Sequence, residues 1–380
     1  MMRCTGLLLA LLLALGVGCG DDDGDGTTTP DAGPGMDATT PDDGGGEDDA
    51  GPVDMGIDAY VPPPEELEIT PSDPPLDVAE GTVFATIPYG PGERQVMDAF
   101  IHPDAETPSP VVIFIHGGGF TGGSRTAAYS GGTGEGLQYL VDMGISYFTI
   151  DYTLLSIGAE EEGVIKSLRD SRRALQFIRH YAEDLNIDPE RVGLLGSSAG
   201  AGTALWLAFH DDMADEASED PIAQQSTRVS VAVVVATQAT YELFRWPPDV
   251  FSPKYPLTIE QLLDQTALAA QVATFYGLPL VLINEPEMLK ETLETPEYVA
   301  YREDLDMLAW MSPDDAPFYA RNSGDDVAPG ESGFDILHHP LHAATLAARA
   351  DEVGLEAIVE APALDLGGNA NSTQFLLDHL

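Results

Sequence analysis

The sequence predicts an α/β fold in which a mostly parallel central sheet is covered by helices on both faces. Three observations carry this. From residue 82 onward, short β-branched and aromatic runs alternate with stretches of helical spacing. Runs such as Val111-Val-Ile-Phe-Ile115 are apolar throughout, as expected of strands buried on both faces. A Gly-Ser turn at 196–198 then separates one such strand from an apolar helix. Strands joined through helices pair in parallel and need cover on both faces.

The elements follow in chain order. Thr82–Ile87 and Gln95–His102 read as two early strands, and Val111–Ile115 as a central one. Glu135–Met143 is a helix and Ile145–Asp151 the next strand. Val164–Leu185 places Ile165, Leu168, Ala174, Leu175, Ile178 and Tyr181 at helical spacing. Arg191–Leu195 is a strand, Ala199–Phe209 a helix and Val229–Ala236 a buried strand. Pro317–Ala320, Leu341–Glu352, Leu355–Glu360 and Thr373–Leu380 continue the rhythm. Between Tyr241 and Ser312 it breaks. That stretch is helical in flavour and rich in Pro, Trp and Tyr, so residues 241–312 are expected to form a cap-like insertion before the strand at Pro317–Ala320.

Charge sets limits on partners. The 380 residues hold 64 acidic and 16 basic groups, a net charge of −48. Such a chain repels phosphate, which excludes nucleic acid and electrostatic docking on anionic lipid. Residues 1–64 contain 13 acidic groups and one basic group, which leaves 51 and 15 for residues 65–380, a net −36. The two cysteines, Cys4 and Cys19, both lie in the first twenty residues. The body therefore has neither a disulfide framework nor a cysteine zinc site.

Residues 1–19 read as an address: Arg3, an apolar run from Leu7 to Leu15, then Gly16-Val17-Gly18-Cys19. The run is too short to span a bilayer. Its end resembles a bacterial lipobox, with Leu15 one position early, and the resemblance implies lipid attachment at Cys19. Residues 20–64 are Asp, Gly, Thr and Pro with little to bury, a composition that favours a disordered linker. Residues 65–380 form the folded domain. The expected location is outside the cytoplasm, as a membrane-anchored lipoprotein or else a secreted protein, with membrane contact only through the lipid.

Two motifs carry chemistry. Gly196-Ser197-Ser198-Ala199-Gly200 fits Gly-x-Ser-x-Gly and lies between a predicted strand and a predicted helix. Glycines flank such a turn because a Cβ would clash in it. The following helix N-terminus favours negative charge beside Ser198. His116-Gly117-Gly118-Gly119-Phe120 directly follows the strand Val111–Ile115. Consecutive glycines expose N–H groups that can converge on one oxygen, as acyl transfer requires.

These motifs, in this order, resemble the α/β-hydrolase superfamily. Within it they resemble the carboxylesterases with an HGGG oxyanion motif, similar to the hormone-sensitive-lipase group and to bacterial feruloyl-esterase-like (BD-FAE-like) domains. Asp151-Tyr152-Thr153-Leu154 resembles that family's Asp-Tyr-Arg-Leu segment with Thr for Arg, and Asp188–Val192 resembles the lead into the serine strand. The resemblance implies a serine ester hydrolase that acts on small-molecule esters and needs no metal or organic cofactor. It implies Ser198 as nucleophile and the N–H groups of Gly118, Gly119 and Ala199 as the oxyanion hole.

The acid is expected about eight residues after the aromatic of Ala316-Pro317-Phe318. This points to Asp326, with Asp325 beside it and Asp335 as a competitor. The family's histidine belongs between the last strand and the last helix, yet residues 361–373 contain none. A serine without a base is a weak nucleophile. His339 is the first choice to swing in from elsewhere, followed by His338 and His342, and Asp365 could act weakly through water. The alternative reading is a non-catalytic binding protein that keeps the hydrolase fold.

Overall fold

The computed structural model describes residues 62–380; the expected signal segment at 1–19, the expected lipid site at Cys19 and all but the last three residues of the expected 20–64 linker lie outside them. The sheet has eight strands in the order β1-β2-β4-β3-β5-β6-β7-β8. They are β1 (Val83–Pro88), β2 (Val96–Ile101), β3 (Ser109–Ile115), β4 (Ser146–Ile150), β5 (Ile187–Ser197), β6 (Val231–Val235), β7 (Phe318–Arg321) and β8 (Ala357–Glu360). β2 pairs antiparallel with both β1 and β4, and every other pairing is parallel.

Strand alternation divides the core into two layers. Val111, Ile113 and Ile115 of β3 face α2 (Ile165–His180), α4 (Ala199–Phe209) and α10 (Pro340–Val353). Val112 and Phe114 face α1 (Gly131–Asp142) and α11 (Ser372–His379). α4 is apolar all round because every one of its residues is buried. The helix predicted over 164–185 divides into α2 and a short α3 (Ala182–Leu185). Tyr181 marks the break and donates its hydroxyl to Pro64 O. Asn186 ends the second piece in the left-handed region.

Between β6 and β7 the chain forms a π turn at Trp246–Phe251, then α5 (Ile259–Leu263), α6 (Thr266–Phe275), α7 (Pro286–Leu293), α8 (Pro296–Asp304) and α9 (Met307–Trp310). Buried bonds tie this segment to the sheet layer. Trp206 Nε1 donates to Asp304 O at 2.8 Å and Val164 N to Phe275 O at 2.8 Å, while Arg302 pairs with Glu242 inside the segment. Among the described residues no helix is long and apolar enough to cross a membrane.

The register places the site. Ile115 pairs with Gly196, Ser197 with Val235, and Val235 with Arg321. The loops that leave β3, β5, β6 and β7 therefore open on one edge of the sheet, where α/β folds hold their ligands.

Candidate active site

Ser198 sits at the sharp turn from β5 into α4, with φ 53° and ψ −120°. A non-glycine residue held there stores strain of about 1–3 kcal/mol, so neighbouring packing has to fix it. A Cβ on Gly200 would lie 2.0 Å from Ile115 O, and one on Gly196 would lie 2.3 Å from Gly200 O. The two glycines thus let strand and helix close on each other while the serine is lifted out. Ser198 is left half-buried, and its N–H donates to Val235 O.

The loop after β3 packs against this turn. A Cβ on Gly117 would meet Ser197 O at 2.7 Å and Ser198 Cβ at 3.1 Å. Gly118 and Gly119 have φ of 116° and 59°, which suits glycine. Thr121 and Gly122 donate to Gly118 O, and Leu155 donates to Phe120 O. Among the described residues nothing accepts a hydrogen bond from the N–H of Gly118 or Gly119. Ala199 is the first residue of α4, where a helix leaves its N–H without an internal partner.

His116 lies beneath this loop, fully buried. Its Nδ1 donates to Gly117 O at 2.6 Å, and its ring stacks on Tyr152 at 4.3 Å. Burial pushes its pKa down, against the pull of Asp151. Where the family segment has arginine this chain has Thr153, and Asp151 takes its cations from Arg94 at 3.2 Å and Arg125 at 2.8 Å.

An imidazole from the loop between β7 and α10 reaches the serine. His338 Nε2 lies 2.9 Å from Ser198 Oγ, and His338 Nδ1 lies 2.8 Å from Asp335 Oδ2. The network assigns the tautomer: Nδ1–H donates to the carboxylate, and Nε2 accepts from the serine hydroxyl. The other carboxylate oxygen, Asp335 Oδ1, accepts from the N–H groups of Leu337 and His338. Partial desolvation works to raise the Asp335 pKa, but His338 and those two N–H groups hold it below the usual carboxylate range.

Two sequence expectations are corrected here. His339, the first choice as base, is turned away from Ser198. It is fully buried, accepts from Leu341 N–H through Nδ1 as the N-cap of α10, and donates from Nε2 to Val327 O. It precedes Pro340 at the helix start, so its ring serves the cap and cannot also face the serine. Asp326, the first choice as acid, is held by Lys254 and by Tyr255 Oη at 2.9 Å, and stands 3.8 Å from His339. Burial acts to raise its carboxyl, yet the contacts from Lys254 and Tyr255 keep it low.

The remaining candidates also lie elsewhere. Asp325 is exposed beside its own turn. Asp365 is exposed at the end of a short 3-10 turn after β8. His342 is buried on α10, with both nitrogens on backbone groups. The interval after β8, where the family carries its histidine, is drawn down by buried Glu360. That carboxylate accepts from Tyr319 Oη, Arg321 Nη1 and Ala370 N. The missed signal was local: Asp335 and His338 are three residues apart, and of two adjacent histidines the one before proline is the natural helix cap.

Among the described residues no group of three or more His, Cys, Asp or Glu side chains could hold a metal ion. A carboxylate, an imidazole and a serine in hydrogen-bonded sequence, beside a glycine loop whose N–H groups at Gly118 and Gly119 have no acceptor among the described residues, form an arrangement suited to acyl transfer.

Comparison with known proteins bears on the same region. The BD-FAE family model matches residues 97–288, just over half of the 380-residue chain. A neuroligin-like protein, glit-1, of Caenorhabditis elegans is 32% identical over 115 residues, 29% of this chain and 14% of that protein. Esterase LipQ of Mycobacterium tuberculosis is 27% identical over 162 residues, 42% of this chain and 35% of that protein. The chain thus spans about a third or less of the length of these curated relatives. A solved structure, a truncated form of a carbohydrate esterase from gut microbiota, aligns with TM-score 0.52 at 16% identity. The alignment covers 80% of this chain and 98% of that one, a likeness of fold.

Proposed function

This chain belongs to the BD-FAE family and has the α/β-hydrolase fold, and from that premise we propose that it is a serine ester hydrolase working through an acyl-enzyme at Ser198. The observation that carries the proposal is the unbroken relay from Asp335 through His338 to Ser198 Oγ, with its 2.8 and 2.9 Å links.

Each step follows from that relay. Ser198 Oγ attacks the ester carbonyl carbon while His338 Nε2 takes the hydroxyl proton. Asp335 steadies the imidazolium that results and fixes the ring's orientation. The carbonyl oxygen gains the negative charge and is held by the N–H groups of Gly118, Gly119 and Ala199, helped by the N-terminus of α4. His338 returns the proton to the departing alkoxide, and the alcohol leaves. Water, deprotonated by His338, then attacks the acyl-serine and releases the carboxylic acid and the free serine.

The proposed substrates are short or medium acyl esters, including carbohydrate-linked esters outside the cell. Cys19 is the proposed lipid attachment point, which fatty-acid labelling of the parent and Cys19→Ala chains tests.

For the activity, purified protein is offered a panel of p-nitrophenyl acyl esters and a fluorophosphonate probe. Turnover and labelling confined to Ser198, both lost in Ser198→Ala, support the proposal. An intact protein that neither hydrolyses any ester of the panel nor takes the probe overturns it.

A further inference from the structure

Acid and imidazole share one loop, so the backbone path of that loop sets the geometry of the relay. Three of its carbonyls are held by buried side chains from outside residues 325–339. Ile336 O accepts from His342 Nε2 at 2.8 Å, Leu337 O from Gln238 Nε2 at 2.7 Å, and His339 O from Asn322 Nδ2 at 3.2 Å. These side chains come from α10, from the segment after β6 and from Asn322, the first residue past β7. All three are among the buried polar residues.

His342 has the most constrained role. Its Nδ1 accepts from Ala239 N–H at 3.2 Å while its Nε2–H holds Ile336 O. One ring nitrogen accepts and the other donates, so the ring is neutral and in a single tautomer. The rings of Trp246 and Phe251 pack edge-on against it at 4.9 and 5.7 Å. The imidazole is thus a rigid strut between the strand-end segment at Ala239 and the residue that immediately follows Asp335.

We propose that His342 is a positioning residue for the Ser198–His338–Asp335 relay, acting through the Ile336 carbonyl. The inference rests on the proposed catalytic reading of that relay. Ile336 lies one residue after the acid and two before the imidazole, and the next two N–H groups are those that bind Asp335 Oδ1. When the strut is removed, the carboxylate and the imidazole drift together relative to Ser198. A misplacement of about 1 Å at reacting groups costs on the order of a hundredfold in rate.

The experiment compares His342→Leu, His342→Gln and Leu346→Ala, each purified and checked for folding by thermal melting. Leu346 is buried on α10 one turn further on, so its truncation tests loss of packing alone. His342→Leu should lower kcat about a hundredfold with KM for a small ester within about twofold. His342→Gln, whose amide N–H can reach the same carbonyl, should recover about tenfold of that loss. Leu346→Ala should lower Tm with kcat unchanged.

Parental kcat in folded His342→Leu, a Gln variant no better than Leu, or an equal loss in Leu346→Ala overturns the inference. Should His342→Leu fail to fold, Gln238→Leu removes the hold on Leu337 O from another element. The same drop in kcat without a KM change then supports a loop set from outside, and parental kcat refutes it. A parent chain that hydrolyses no better than Ser198→Ala refutes the catalytic reading instead, so the two failures are distinguishable.

Discussion

The two histidines at 338 and 339 are chemically identical and separated by one peptide, yet they do different work. His338 faces Ser198, and His339 faces the start of α10 and the loop at Val327. Substitution should separate them. Asp335→Asn is expected to keep the fold and lower kcat about ten-thousandfold, because the His338 tautomer is no longer enforced. Asp326→Asn should leave kcat within about threefold of the parent, since that carboxylate serves Lys254 and Tyr255 rather than the relay. Steady-state kinetics on one p-nitrophenyl ester decides both. A severe loss in Asp326→Asn with parental activity in Asp335→Asn would restore the original expectation from sequence. The features legible in the sequence are those whose geometry is local. Ser198, Gly118, Gly119 and Ala199 belong to short turns whose glycines are required by close backbone contacts or, at Gly119, by a positive φ. The carboxylate and imidazole that face Ser198 are less legible because they depend on the path of an eighteen-residue loop between β7 and α10 and on which ring caps the helix.

At the scale of elements, two parallel strands and one helix hold the serine turn in place. β3 ends beneath α4, and the contact of Gly200 with Ile115 O leaves no room for a methyl group. Gly200→Ala should therefore disrupt the elbow, with a loss of about 3 kcal/mol or more or failure to fold, read by urea unfolding. A variant as stable as the parent would show that strand and helix do not close as described. The central strands and α4 could be read from sequence because they are buried on every side and their composition says so. The sequence predicts one helix through to Leu185 because the apolar spacing continues past the break at Tyr181. Residues 241–312 lost the strand–helix rhythm, and a run of short helices held together by tertiary bonds explains why.

Across the whole molecule, most of the charge lies on residues 65–380, at a net −36. Stability against acid is set by a different group of residues. His342 is buried and its pKa is pushed down to about 4, with His338, His339 and Asp335 close by. Unfolded, the same imidazole titrates near ~6.5. Between these values the unfolded chain binds the extra proton, so the contribution is complete above about pH 6.5 and is lost as pH falls through 4. It amounts to on the order of 3 kcal/mol. His116 and His339, also lowered by burial, act in the same direction. The parent Tm should fall between pH 7 and pH 4, and His342→Gln should lose less of its Tm over that range. A Tm indifferent to pH would contradict buried, neutral imidazoles. The most direct test of the central claim, that the base stands on the acid's own loop, is the rate of fluorophosphonate labelling at Ser198 in His338→Ala and in His339→Ala, measured side by side. The relay described here requires labelling to collapse in His338→Ala, by about a thousandfold or more, and to stay near the parental rate in folded His339→Ala. Collapse in His339→Ala with parental labelling in His338→Ala would contradict it.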